Sequence, residues 1–452
     1  MNKFNEFFNK MLDPFLKFVN TKTMMAIKDG FLLTMPITLV GSLFLLIANF
    51  PIPKWDSWMS NIFGTDWSAP LNQVAGSTFD ILAVVAVLGI SYTYAKNEKV
   101  DPISTALLSL VSFLILTDSF AVTESGETIA GVIPKSWTGG NGIITAIIVA
   151  VIVAKVFAFF IKRDIRIKMP DTVPPGVANA FSAMIPGAVV MFGSMVVYTL
   201  TSKFAGVSLT ELIFKLLQTP IQNVSDTLPG GLFITFLMSI LFWAGIHGPN
   251  IVMGIMGPIL TANALDNQAV IDSGQQLIVG ENTKIMTVQL IDVFAKFGGQ
   301  GITIGLLFAA LMFAKSKRLK EISKISIVPS LFNINEPVIY GLPIVFNPIM
   351  LIPFILVPIT AVLITYGAII IGFIQPFTAV QVPWTTPPLI SGFLLSGWQG
   401  LVVQLVIIFA SAGIYYPFLI KQDKQFLLEE AEIEATEETA DSPLDFANES
   451  NV

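Results

Sequence analysis

The chain has no cysteine, a single histidine and, over 452 residues, only 12% charged side chains. Each shortage excludes a class of protein. Without cysteine there is no disulfide framework, no thiolate nucleophile and no sulfur-ligated metal site. With His247 alone, a His-cluster metal site and a two-histidine relay are excluded too, so no metal and no cofactor is expected. The 25 Lys and Arg are outnumbered by 31 Asp and Glu, a net charge of −6 that disfavours nucleic acid as a partner. A soluble domain carries about 25% charged residues, and this chain lacks the side chains to cover a water-exposed surface. There is also no GxxxxGK[ST] phosphate loop, no spaced arginine series and no run of intramembrane acids that would relay protons.

What is present is apolar: 54% of residues are hydrophobic and the mean hydropathy is +0.74. A bilayer core takes about 20 consecutive apolar residues per helix. Runs free of Asp, Glu, Lys and Arg cover 30–53, 81–95, 102–117, 136–154, 172–202, 227–265, 297–314 and 337–420. The chain therefore reads as an all-α polytopic membrane protein. Nineteen of the 25 basic residues fall in five clusters: the N-terminus to Lys28, Lys96 and Lys99, Lys155–Lys168, Lys315–Lys324, and Lys421 with Lys424. Under the positive-inside rule these lie in the cytoplasm, with both termini. Proline decides how 325–420 is divided. Pro329, Pro337, Pro343 and Pro348, then Pro383, Pro387 and Pro388, interrupt two stretches that cannot be regular helices. Broken backbone is tolerated at membrane depth where it lines a cavity or is buried in protein. These stretches, 325–345 and 376–393, read as re-entrant hairpins, giving about ten transmembrane helices and two hairpins.

Two amphipathic interfacial helices complete the expectation. Residues 1–29 begin with Phe4, Phe7, Phe8, Met11 and Phe15 spaced among lysines. Residues 206–226 contain SLTELIFKLLQT, a connector between a five-span unit over 30–205 and a second unit over 227–420. Residues 421–452 read as an acidic cytoplasmic tail, partly disordered from Leu427 onward. No internal repeat is evident.

Few polar side chains could carry chemistry. Glu336 stands at the edge of the 84-residue uncharged stretch 337–420, in the first hairpin, beside Asn333 and Asn335. An intramembrane carboxylate points to function, although it could also brace the hairpin tip. His247 interrupts the run 227–265 between Gly245 and Gly248-Pro249, with Asn250 close by, either as a ligand contact or as a brace at a helix break. In the second hairpin Gln375, Gln381, Trp384, Thr385 and Thr386 set an aromatic face beside neutral hydrogen-bonding groups. That combination suits a pyranose ring, while an interfacial belt is the alternative for Trp384. Asn141, in SWTGGNG at 136–142, is a weaker candidate in what could equally be a flexible loop.

NINEPVIYGLPIVFNP at 333–348, AGIHGPN at 244–250 and PWTTPP at 383–388 together resemble the membrane IIC component of the bacterial phosphoenolpyruvate-dependent phosphotransferase system, in its lactose/cellobiose/diacetylchitobiose family. The resemblance runs from the N-terminal segment to about residue 420. It implies a permease of the bacterial inner membrane that binds a β-linked disaccharide and delivers it for phosphorylation. It also implies a homodimer whose first five spans are the scaffold. Carried onto this chain, the sugar contacts fall on Glu336, Asn333, His247 and Trp384, with Glu336 and His247 positioning the reacting hydroxyl. The phosphorylated cysteine of the system belongs to IIB, expected here as a separate polypeptide supplied in turn by IIA, HPr and enzyme I. The chain itself is then not an enzyme. An ion-coupled secondary sugar transporter is the competing expectation.

Overall fold

The computed structural model describes residues 17–123, 127–170 and 172–440, with side chains to 433. Phe4, Phe7, Phe8, Met11 and Phe15 of the expected N-terminal amphipathic helix lie outside the described residues. Helices dominate, and the one sheet described is a two-stranded antiparallel ribbon, Phe120–Val122 with Thr128–Ala130.

The first half is built on small residues. Lys22–Leu32 and Met35–Ala48 follow one another as a single apolar stretch, then Ala69–Phe79 leads into Leu82–Glu98, and Pro102–Ile115, Ile143–Lys162 and Pro175–Ala205 complete the group. Ala83, Ala86, Ala146 and Ala150 are fully buried with Leu82, Val87, Ile90 and Phe113. Short side chains let helix axes approach, which supplies packing where lipid removes the hydrophobic drive between helices. Gly30 and Gly89 touch backbone to backbone, and a Cβ on either would collide with the facing main chain. Buried hydroxyls satisfy themselves locally: Thr105 donates to Asp101 O and Ser109 to Thr105 O, each one turn back. Glu98 gathers two of the helix ends by pairing with both Lys22 and Lys162.

The second half is more interrupted. After Leu209–Ile213, a wide turn and Thr219–Ser225, the chain bends by 78° into Leu228–Trp243. Gly248–Asp272 follows, then Ile304–Phe313, Lys317–Leu331, the short Glu336–Gly341, Pro348–Ile370 and Ile390–Ala440. Its core joins Leu290, Phe294 and Phe297, from the stretch between Gly248–Asp272 and Ile304–Phe313, to Phe354 and Tyr415 on the later helices.

Several elements differ from their sequence reading. Six described helices are both long and apolar enough to span a membrane, seven if the bent pair is one span. The stretch 102–117 forms a helix of 14 residues, and 297–314 one of only 10, Ile304–Phe313, because Gly298, Gly299 and Gly301 all adopt positive φ before it. Pro175–Ala205 is a single helix of 31 residues with Pro186 inside it. The segment 325–345 holds the end of Lys317–Leu331, a tight turn and Glu336–Gly341, while 373–389 is irregular.

The expectation of disorder from Leu427 needs correction, since the last helix continues to Ala440 with a kink at Ser396-Gly397. Its acidic residues have a structural use. Asp423 accepts from Lys315 N and Ser316 N, both at 2.9 Å, and from Ser316 Oγ at 2.7 Å, while Glu430 accepts from Arg318 N at 2.8 Å. The four unpaired N–H groups that open Lys317–Leu331 are a natural seat for carboxylates. Hydrogen bonds to a charged group contribute about 1.5–3 kcal/mol. Asp423→Ala is therefore expected to lower stability by about 2–4 kcal/mol, read as a reduced unfolding temperature in detergent. An unchanged temperature would remove this role. Residues 441–452 lie outside the described residues.

Candidate functional site

Four stretches of non-helical backbone converge in the second half: the break at 244–247, the glycine-rich loop 298–303, the turn 332–335 and the segment 373–389. Backbone that leaves a helix inside a membrane protein must find other partners. Here side-chain carboxamides supply them. Asn333, at φ 64, accepts from Gly298 N at 2.6 Å and donates to Trp384 O at 2.5 Å and Thr386 O at 3.0 Å. Asn335 donates to Gln300 O at 2.8 Å and Thr303 Oγ1 at 3.0 Å. Gln289 donates to Thr378 O and Val380 O, at 2.6 and 2.9 Å. Gln404 donates to Val293 O at 2.8 Å and accepts from Leu389 N at 2.6 Å and Gly392 N at 3.1 Å. An amide offers both donors and an acceptor without a net charge to desolvate. Gly299 is required beside this frame, because its φ is 90° and a Cβ would enter the Asn335 side chain.

A cavity of about 190 Å³ opens where this frame meets the first half. Thr34, Thr38 and Leu39 form one wall, and Asp292, Gln381 and Trp384 the other. Ser42 Oγ closes the seam by donating to Gln381 O at 2.8 Å. Asp292 pairs with Lys296 at 2.5 Å, one helical turn away. Trp384 keeps 53% of its surface exposed, so its ring face is open.

The expected site residues are only partly brought together. Asn333, Gln381, Trp384 and Thr386 border the cavity, but the Asn333 amide is committed to bracing and Asn335 is buried behind it. Thr385 is exposed next to them. Glu336 is exposed at the start of Glu336–Gly341, and its carboxylate accepts no hydrogen bond among the described residues. His247 caps Gly248–Asp272, its Nδ1 accepting from Asn250 N at 3.3 Å, with its ring edge-on to Phe242 at 5.0 Å. Asn141 sits elsewhere, on a separate cavity with Asp266 and Asp272, and Gln375 borders a third.

Sequence reading missed Gln289, Gln300, Gln404, Asp292 and Lys296. Asp292 and Lys296, four residues apart beside an uncharged run, carried a usable signal as a charge pair on one helical face. Gln404 carried a weaker one, as a carboxamide deep inside 337–420.

Comparison with known proteins bears on this arrangement. The family model described as "Phosphotransferase system, EIIC" matches residues 28–358. The lichenan permease IIC component of Bacillus subtilis (strain 168) is 36% identical over 449 residues, covering 97% of this chain and 98% of that protein. The cellobiose-specific EIIC component of Geobacillus stearothermophilus is 38% identical over 421 residues, covering 92% and 93%. Among solved structures, the transporter ChbC, the IIC component of an N,N'-diacetylchitobiose-specific phosphotransferase system, superposes with a TM-score of 0.88 at 36% identity, covering 94% of this chain and 99% of that one.

Proposed function

The chain belongs to the phosphotransferase system EIIC family, and from that premise we propose that its cavity at the carboxamide frame carries a β-linked disaccharide across the bacterial inner membrane. As an EIIC permease it works with a sugar and with IIB, the component that carries out the phosphorylation. The relatives named for lichenan, cellobiose and diacetylchitobiose support a β-linked substrate. The observation that carries the site is the open Trp384 face standing over neutral amides and one ion pair, between the two halves of the molecule. Sugar rings stack on aromatic faces through their C–H surfaces, and carboxylates and amides take their hydroxyls.

At about 190 Å³ the cavity is smaller than the ~300–1,000 Å³ usual for small-molecule sites. A disaccharide therefore needs the second half to shift against the first. In the proposed cycle the sugar is held by Trp384 and Gln381, with Glu336 and His247 at the reacting end. Its hydroxyl attacks the phosphorus of the cysteinyl phosphate on IIB; the S–P bond breaks, the thiolate leaves, and the hydroxyl proton passes to Glu336 or solvent. Phosphoryl transfer depends mainly on positioning and charge stabilisation, which a carboxylate on a braced turn supplies. Trapping the product as a phosphate makes uptake one-way.

Orientation and assembly belong to the same proposal. The clustering of basic residues supports cytoplasmic termini, with IIB docking near 155–168 and 315–324. In the first of these loops Lys168 and then Arg166 hold the Asp164 carboxyl below the usual carboxylate range, so it remains an anion inside a basic surface. The helix Pro175–Ala205 is the least buried of the candidate spans, with Phe192 and Phe204 turned outward, and is the proposed homodimer face.

Sealed vesicles holding this chain and IIB test the assignment. Uptake of labelled cellobiose is expected to require phosphoenolpyruvate with the soluble phosphotransferase proteins, and to persist when a protonophore is added. Uptake abolished by the protonophore and indifferent to phosphoenolpyruvate would instead mark an ion-coupled transporter.

A further inference from the structure

A second and larger cavity, of about 840 Å³, lies between the Ala69–Phe79 helix, the turn at Asn141 and the end of Gly248–Asp272. Its volume falls inside the ~300–1,000 Å³ range of small-molecule sites, unlike that of the cavity at Trp384. Five carboxamides border it: Asn49 donates to Leu45 O and Gln268 to Asp272, while Asn72, Gln73 and Asn141 make no side-chain hydrogen bond among the described residues. In the frame at the smaller cavity, by contrast, Asn333, Asn335 and Gln404 are spent on bracing backbone. Asn72 and Gln73 are exposed and Asn141 half-buried, so their donors and acceptors are open to whatever enters this space.

The charges around this cavity select for its occupant. Asp80 is neutralised by Lys135 at 2.9 Å. Asp266 and Asp272 have amide partners only, Gln222 and Gln268, each at 2.9 Å. The wall is therefore net negative and rich in acceptors for hydroxyl donors, which suits a neutral polyol and opposes a sugar phosphate.

The two cavities also lie in series. Thr261 borders the smaller and Leu265 the larger on one helix, while Leu39 and Leu45 do the same on another. At 1.5 Å per residue, about 6–9 Å of helix separates them. Between them stand the Ser42 to Gln381 hydrogen bond, Gly41 packed directly on Thr78, and the buried cluster of Leu45, Ala75, Phe79 and Ala379, which transfer would have to part.

We propose that the cavity at Asn72, Gln73 and Asn141 is a reception site for unphosphorylated saccharides, held by these carboxamides before transfer to the Trp384 cavity. The proposal rests on the permease reading above, and on the orientation that puts this end outside the cell.

The absence of cysteine makes the test clean, because Gln73→Cys or Asn141→Cys introduces the sole thiol of the chain. In intact cells, cellobiose is expected to slow modification of that thiol by an impermeant methanethiosulfonate about tenfold. Cellobiose phosphate at equal concentration is expected to leave the rate unchanged. Protection is expected to survive Glu336→Gln in the same chain. Absence of protection, equal protection by the phosphate, or protection lost with Glu336→Gln each overturns the proposal, the last because it reports closure of the inner site. Should the thiol variants fail to reach the membrane, equilibrium binding of labelled cellobiose to the purified unmodified chain decides the matter: two sugars per chain support the site and one overturns it. Failure of the permease reading would show separately, as loss of phosphoenolpyruvate dependence in vesicles.

Discussion

Glu336→Gln is expected to cut phosphotransferase-driven uptake by at least about 100-fold, the low end of what a positioned acid–base group contributes, while the protein folds as before. The two halves of that statement come from different observations. Folding is spared because the carboxylate accepts no hydrogen bond among the described residues and is exposed, so a neutral amide of the same shape leaves nothing unpaired. Transport is not spared because Glu336 immediately follows the braced turn. Asn333 and Asn335 on its N-terminal side hold two other segments, the 298–303 loop and the 373–389 segment, so the carboxylate is delivered to one place and not to a range of places. Preorganisation of this kind converts binding into rate. Glutamine keeps the contact with a hydroxyl but can neither take its proton nor bear the charge. The measurement is uptake of labelled disaccharide into vesicles, paired with an unfolding curve of the purified variant. Uptake within twofold of the unaltered chain would sink the assignment of Glu336.

Asn333→Ala should act in the opposite way, by dismantling the site without removing a reacting group. Three hydrogen bonds disappear at once, to Gly298 N, Trp384 O and Thr386 O. Each buried group left without a partner costs about 1–3 kcal/mol. The backbone adds to this: at φ 64 the residue is in the left-handed region, where asparagine is tolerated and alanine is strained by about 1–2 kcal/mol. A loosening of about 3 kcal/mol corresponds to a loss of roughly 100-fold in disaccharide affinity. Asn333→Gly separates the causes, since glycine relieves the strain and restores none of the bonds. Its affinity is expected to remain near that of the alanine variant. Affinity within threefold of the original chain in both variants would show that the three segments hold together by packing alone.

Much of the architecture was legible because it rests on quantities that sequence carries directly. Lengths of uncharged runs locate helices, and clustered prolines locate the places where helix cannot continue, as at Pro329–Pro348 and Pro383–Pro388. The loop at Gly298–Gly301 escaped because it lies at the edge of an apolar run, where hydropathy gives no reason to stop a helix and only the positive φ of the glycines does. The site was legible by residue type and not by role. Asn333 and Asn335 stand where a ligand contact was expected, yet both are turned to other loops, because a buried turn claims its nearest amides first. Asn141 stands on a different cavity from Trp384, and nothing in the sequence ranks the distance between the two residues. Gln289, Gln300 and Gln404 carry no charge, and a neutral amide stands out only once the carbonyls or hydroxyl it faces are known.

The carboxamide frame has a further consequence, for the conditions under which the permease keeps its shape. Asn333, Asn335, Gln289 and Gln404 neither gain nor lose a proton over any pH a cell meets, and their bonds are weakly screened by salt. A site propped by ion pairs or histidines would sag as the medium turned acidic or its salt content rose. The frame itself is built from groups blind to both, so any acid or salt sensitivity of transport belongs to His247, to Glu336 and to the Asp292–Lys296 pair on the cavity wall.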